Sequence, residues 1–344
     1  MYRAVTIKDI AKELGVSIST VSRALRNSHE VSTEKKNIIN EHAKKINYHS
    51  NPIARSLKNR RSYSIGVMVP DIANNFFSQT INGIEAIAYE KGYHVIITQS
   101  HESYEREVVN LEHLANSSID GLLISMSSQT VDYSHVQKFH ERGLPIVFFD
   151  RIIDEIKTFK VTIDDFRASF NATELLVKKG YKNIAFLAHA PQLSVTAQRV
   201  AGYKAALQEN CIKINDDFIK YCPAGGRDPQ EVFHAIENLL SRPIPPEALV
   251  IANDSLSIAA IRLLNKHYQT QGMAIMGFSN SDVLDLISPQ ISYVRQNAFE
   301  MGEIAMEMLI KLMNSKYPVY DFETKFVDTD VHMANQVNTL SKLR

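Results

Sequence analysis

Two kinds of hydrophobic spacing divide the chain. Up to about residue 48 apolar positions recur every three or four residues: Ile7, Ile10, Ala11 and Leu14, then Val21, Ala24 and Leu25, then Ile38, Ile39, Ala43 and Ile46. That period belongs to amphipathic helices. From Ser64 onward, short continuous apolar runs alternate with longer amphipathic stretches. Runs at 65–69, 95–97, 121–124 and 146–149 predict strands, separated by helical patterns at 78–91, 104–116 and 134–142. The series then restarts, with strands expected at 161–163, 184–187, 218–221, 248–252 and 274–278 and helices at 166–179, 199–209, 229–240, 255–266 and 297–314. Continuous rather than alternating apolar strands point to parallel sheets covered on both faces. Nine strands in two series predict two α/β lobes rather than one sheet.

Polar residues of the body collect where these runs end. Asp71, Ser125, Asp150 and Arg151, Asp164 and Asp165, His189, Asn253 and Asp254, and Ser279 and Asn280 each close or follow an apolar run. In open parallel sheets the crevice beyond the strand C-termini is where ligands bind. Two such edges facing each other would enclose a small molecule, although any one of these residues can equally cap a helix or brace a loop.

In the head, Thr6 with Asp9 three residues on forms a capping signal for a first helix, Gly15 stops it, and Ser17 caps a second two residues later. A third helix fits from Ser32 to near Tyr48. Two short helices joined by so brief a glycine-containing connection form a helix-turn-helix pattern. Ile18, Ser19, Ser22 and Arg23 include its outward positions, where small polar side chains approach base edges and an arginine reaches phosphate or guanine.

Charge sharpens this division. The net charge is zero, but residues 1–61 hold thirteen Lys or Arg against five Asp or Glu, a balance of +8, and the rest carries −8. A basic head on an acidic body suits a polyanionic partner for the head alone. Only Cys211 and Cys222 are present, no signal-like start is seen and no stretch reaches 18 apolar residues, so the expected location is the cytoplasm, without membrane contact and with reduced thiols. No phosphate-binding glycine motif has its required context, and the twelve histidines fall into no metal-ligand spacing. His189 lacks an evident nucleophile partner. An enzyme is therefore not expected, nor is a metal, a cofactor or a catalytic residue. An exported solute receptor would explain two lobes but not the basic head.

The string Thr6-Ile7-Lys8-Asp9-Ile10-Ala11, Gly15-Val16-Ser17, Ser19-Thr20-Val21-Ser22-Arg23-Ala24-Leu25 resembles the head of the LacI/GalR family of bacterial repressors. The likeness continues through Val31-Ser32, Asn47-Tyr48, Asn51-Pro52 and Ala54-Arg55-Ser56-Leu57. It resumes in the body at Val69-Pro70-Asp71, Phe76-Phe77, Phe149-Asp150-Arg151, Asp164, Arg199, Asn253-Asp254 and Val294-Arg295-Gln296, covering about nine tenths of the chain.

The resemblance implies a multidomain chain: an all-α helix-turn-helix head at 1–50, a hinge at 51–61, and a two-lobed α/β body at 62–336 similar to periplasmic sugar-binding proteins. The first lobe would take about 62–161 and 291–320, the second about 162–290 and 321–336, including a tail strand near 323–329. It implies a homodimer on a palindromic double-stranded DNA operator, a sugar or related effector in the cleft, and repression as the usual outcome. The hinge, too short to be helical alone, would fold on the operator and wedge Leu57 between central base pairs. Candidate DNA contacts are then Thr6, Ser17, Ile18, Ser19, Thr20, Ser22, Arg23, Arg26, Asn27, Asn51, Ala54, Leu57 and Lys58. Arg26-Asn27 stands where the family commonly has Asn-Gly, and Asn27 can adopt the left-handed turn. Candidate effector contacts are Asp71, Phe76, Ser125, Arg151, Asp164, Arg199, Asn253 and Ser279. Arg199 matches the arginine that grips effector in many members. With Asp165 adjacent to Asp164, either could point inward. Ser279 stands where many members carry aspartate, which leaves open an anionic sugar, a phosphorylated metabolite, an oligosaccharide fragment or a nucleoside.

Overall fold

The computed structural model describes residues 5–48, 61–267, 273–281, 284 and 291–334, in two compact units of which one ends at Ser62 and the other begins at Tyr63. The hinge candidates Asn51, Ala54, Leu57 and Lys58 lie outside the described residues.

The first unit holds α1 (Ile7–Glu13), α2 (Ile18–Ala24) and α3 (Thr33–Lys45). Local chemistry sets each start. The Asp9 carboxylate accepts from Thr6 N at 2.8 Å and Thr6 Oγ1 at 2.7 Å. Thr20 N donates to Ser17 Oγ at 3.1 Å, and Lys35 N to Ser32 Oγ at 3.4 Å. Caps of this kind contribute about 1 kcal/mol each. Asn27 takes the expected left-handed conformation after α2, with φ 55. Ile10, Ala11, Val21, Ala24, Val31, Ile39 and Ala43 form the small core, and Ile38 points out.

The second unit has two sheets. β1 (Ser64–Val69), β2 (His94–Gln99), β3 (Gly121–Ile124), β4 (Ile146–Phe149), β5 (Lys160–Ile163) and β11 (Thr324–Val327) form the first, in the order β11-β5-β4-β3-β1-β2 and parallel throughout. β6 (Ile184–Ala188), β7 (Ile219–Tyr221), β8 (Ala248–Ile251), β9 (Ala274–Phe278), β10 (Ser292–Gln296) and β12 (Thr329–His332) form the second, in the order β12-β10-β9-β8-β6-β7. Only β12 runs antiparallel to its neighbour. α4 (Asn75–Glu90), α5 (Tyr104–Asn116), α6 (Ser134–Glu141) and α11 (Ala298–Asn314) go with the first lobe. α7 (Asp165–Lys178), α8 (Ser194–Glu209), α9 (Pro229–Leu240) and α10 (Asp254–His267) go with the second. β3, β4, β5, β6 and β8 are buried at every position, as strands covered on both faces must be. Helices cross closely in both lobes: a Cβ on Gly83 of α4 would lie 2.0 Å from Phe299 O of α11, and one on Gly202 of α8 would lie 2.2 Å from Phe166 O of α7.

The tail departs from expectation. The return to the first lobe was expected at 291 and the strand near 323–329 in the second, but β10 pairs with β9 in the second sheet and β11 with β5 in the first. Only β12 rejoins the second lobe. The reason is composition: Ser-Tyr-Val-Arg-Gln and Thr-Lys-Phe-Val mix polar and apolar residues and lack the continuous apolar signature of the inner strands. The chain therefore crosses between lobes three times: after β5, after β10, and at Asp328 between β11 and β12.

Candidate functional site

Loops after the C-terminal ends of parallel strands in both sheets meet around a cavity of about 70 Å³. The first lobe supplies Asp71 after β1, Glu102 after β2, and Asp150 and Arg151 after β4. The second supplies His189 after β6, Ala224, Gly225 and Arg227 after β7, Asn253 and Asp254 after β8, and Ser279 and Asn280 after β9. This is the strand-end crevice that parallel topology provides, doubled by the second sheet.

Arg199, from α8, is 4% exposed. Its Nε donates to Asp165 Oδ1 at 2.7 Å, one terminal nitrogen to Ala252 O, and the other to Gln296 Oε1 at 3.0 Å. The guanidinium lies 4.0 Å from the centroid of the Phe278 ring, a cation–π distance. Burial pushes the Asp165 carboxyl up to about 6, against the pull of Arg199.

On the first-lobe wall, an Arg151 terminal nitrogen donates to Glu102 Oε2 at 2.7 Å and Met126 O at 3.2 Å. Burial works to raise the Glu102 carboxyl, but Arg151, His189 and the Ser128 N–H outweigh it and hold the group far below the usual carboxylate range. Asp150 is different. It is 8% exposed and lines the cavity, its carboxylate is 3.8 Å from Arg151 Nε, and burial raises its pKa. His101, Glu102 and Asp150 all have left-handed φ values, 51, 63 and 57. Such conformations cost about 1–3 kcal/mol each and cluster where function demands them.

On the second-lobe wall, Ala190 N donates to His189 Nδ1 at 2.5 Å, so the neutral ring carries its proton on Nε2, which faces Glu102 Oε1 across the cleft at 3.8 Å. Burial lowers the His189 pKa and favours that neutral form. Asp254 Oδ1 accepts from Ser279 Oγ at 2.5 Å and Asn280 N at 3.2 Å, and burial raises its pKa. The lobes also bond directly: Asn74 Nδ2 to Ser255 Oγ at 3.1 Å, Asn280 Nδ2 to Gln79 Oε1 at 2.8 Å, and Gln192 Nε2 to Ser128 O at 2.5 Å.

Of the expected effector contacts, Asp71, Phe76, Arg151, Arg199, Asn253 and Ser279 line the cavity, whereas Ser125 and Asp164 do not. Asp164 is exposed and spends Oδ1 on capping α7 through Arg167 N at 2.8 Å; Asp165 is the inward residue. Ser125 is fully buried beside Asp150. Asp150, His189 and Asp254 stood among the strand-end residues without being singled out. Glu102 and Arg227 carried no motif, and only their offset from a strand end could have exposed them; Gln296, the last residue of β10, stood in the family-like string Val294-Arg295-Gln296 without being named as an effector contact.

On the head, Ile18, Ser19, Ser22, Arg23 and Arg26 line one shallow depression with Ile7, Ser28 and Glu30. Ile18 is 44% exposed. Arg23 Nε lies 2.8 Å from Glu30 Oε2, both side chains about half exposed. Arg26 Nε donates to Ser22 O at 2.9 Å. Thr6 and Ser17 are engaged in their caps, and Thr20 Oγ1 shares a 2.8 Å bond with Ser17 Oγ. Among the described residues no helix is long and apolar enough to cross a membrane, and no group of His, Cys, Asp and Glu could hold a metal ion.

Residues 6–51 match bacterial regulatory proteins of the lacI family, and residues 65–316 match a periplasmic binding protein domain. The chain is 31% identical to the HTH-type transcriptional regulator RegA of Clostridium saccharobutylicum, covering 95% of this chain and 99% of that protein. It is 30% identical to catabolite control protein A of Priestia megaterium, over 91% and 93% of the two lengths. The crystal structure of the lac repressor dimer bound to operator and the anti-inducer ONPF superposes with a TM-score of 0.80 at 21% identity, covering 96% of this chain and 98% of that one.

Proposed function

The chain belongs to the lacI family of bacterial regulatory proteins, and on that premise we propose that it is a cytoplasmic, dimeric repressor whose grip on a palindromic operator is set by a neutral, hydroxyl-rich effector in the interlobe cleft. The head reads DNA through the depression on α2. There Ile18 offers an apolar contact for a thymine methyl, Ser19 and Ser22 offer short hydrogen-bonding groups, and Arg23 and Arg26 face guanine or phosphate. Thr6, Ser17, Thr20 and Asn27 support or flank that face, and Asn51, Ala54, Leu57 and Lys58 extend it into the hinge.

The effector class follows from how the cleft charges are already used. Arg151 and Arg199 are each bonded to a buried carboxylate, and Arg227 to backbone carbonyls. Asp71, Asp150 and Asp254 meanwhile present acceptors to the cavity. A phosphate or carboxylate would meet those acceptors with no uncommitted buried cation to receive it. A sugar or nucleoside hydroxyl donates to them. Asp254 held by Ser279 keeps a carboxylate in the region where the family commonly has one at 279. Asp150, buried and lining the cavity, with Arg151 Nε 3.8 Å away and that arginine's hydrogen bonds given to Glu102 and Met126, is the observation that carries this reading.

Regulation is a linkage. An effector shifts operator affinity only by its differential affinity for the lobe arrangements that do and do not let two hinges order. A thermal-shift screen of the full chain against neutral sugars, nucleosides and sugar phosphates tests the effector class. Neutral compounds are expected to stabilise, with the shift lost in Asp150→Asn. Stabilisation by phosphorylated compounds alone would refute it. For the DNA side, Leu57→Ala is expected to weaken binding to an inverted-repeat operator far more than to scrambled DNA at one salt concentration.

A further inference from the structure

The cavity between the lobes, about 70 Å³, is smaller than typical ligand pockets of roughly 300–1,000 Å³. The loop between β7 and α9 has the construction of an element that could widen it. Gly225 and Gly226 both have left-handed φ, 64 and 96. A Cβ on Gly225 would lie 2.3 Å from His189 Nε2, and one on Gly226 would lie 2.6 Å from the Ser255 carbonyl carbon at the start of α10. The two glycines thus let bare backbone rest on the histidine ring and on the helix start. The next residue, Arg227, is exposed, and one of its terminal nitrogens reaches the first lobe to donate to His101 O at 2.6 Å. Its Nε donates to Ala224 O at 3.3 Å within the loop itself.

Of the interlobe hydrogen bonds described, this is the one with a charged donor, and charge-assisted bonds are about twice as strong as neutral ones. Its acceptor belongs to the strained left-handed pair His101–Glu102, and Glu102 itself lines the cavity. Arg151 and Arg199, the other two cleft arginines, each bond a buried carboxylate, whereas Arg227 bonds only neutral carbonyls and can be released without stranding a charge.

We propose that the Ala224–Arg227 loop is a gate over the cleft and that Arg227 is its latch, positioning the loop through His101 of the opposite lobe. The consequence for effector exchange rests on the reading of the cleft as the effector site; the mechanical claim does not. Arg227→Met and Arg227→Lys are compared with the unaltered full chain by hydrogen exchange and mass spectrometry, without any added ligand. The methionine variant is expected to exchange about tenfold faster in two peptides, one spanning 223–228 and one spanning 99–104 in the other lobe, which carries no substitution. Lysine, which keeps the cation, is expected to fall between. Peptides from β6 and from the head serve as references and are expected to be unchanged. Faster exchange confined to 223–228, no change at 99–104, or a uniform rise that includes β6 would each overturn the latch. Because no effector enters the measurement, failure of the effector assignment in the thermal-shift screen would leave this result standing.

Discussion

Arg23 in the head and Arg199 in the cleft carry the same guanidinium in opposite circumstances. Arg23 is half exposed and meets one equally exposed partner, Glu30. Arg199 is almost wholly buried, and each of its three nitrogens has an acceptor inside the protein. The contrast reflects what each surface must recognise. A DNA polyanion supplies its own strong field, so the head needs cations that are hydrated, mobile and easily redirected. A small neutral guest, as proposed above, would supply little field, so the cleft would have to be organised beforehand, its cations fixed and its acceptors facing the space between the lobes.

Removing each arginine in turn tests this difference where it is largest. Arg199→Met leaves Asp165 buried without its partner and is expected to cost the body about 3–5 kcal/mol in urea unfolding. Arg23→Met is expected to stay within about 0.5 kcal/mol, as exposed pairs do. Similar losses would erase the distinction.

The next effect is in pH. Asp165 is protonated more readily folded than unfolded, because its pKa rises to about 6 from 3.8. The folded state therefore binds the extra proton between those values, and stability from this group declines as pH climbs from about 4 to 6, levelling above. The decline amounts to about 3 kcal/mol at most. Asp165→Asn is expected to remove it, seen as a flatter dependence of the urea midpoint on pH than in the unaltered chain. An unchanged slope would place the titration elsewhere.

Ser17→Ala, at the start of α2, is expected to cost the head about 1 kcal/mol, measured as its own thermal transition, while the body's transition stays in place. The smallest effect belongs to Glu30→Gln. Freeing Arg23 is expected to tighten DNA binding by up to about threefold at low salt and not at all at high salt; salt-independent tightening would mean that Glu30 does more than compete for Arg23.

How legible each region was in the sequence follows the same physics. Thr6 with Asp9, Ser17, Ser32 and Asn27 act within a few residues of themselves, and local chemistry of that range can be read directly. The inner strands announced themselves by continuous apolar runs. β10, β11 and β12 did not: the edge strands β11 and β12 tolerate Lys325 and Asp330, the inner strand β10 carries Arg295 at its one half-buried position, and so the lobe boundaries came out transposed in the tail. In the cleft, strand-end position marked Asp150, His189 and Asp254 as a class, but which of two adjacent aspartates turns inward depends on Arg199 thirty-four residues away. Only the folded chain brings those partners together.

The threefold passage between the lobes also constrains how the protein is made. Each sheet includes a strand from the final stretch, β11 for one and β12 for the other, so neither half corresponds to one uninterrupted stretch of the gene. During synthesis the head can complete its small core and cap its helices while the sensor still lacks a strand on each side. A ribosome that stops short of residue 332 would release a chain with a complete head but an unfinished sensor.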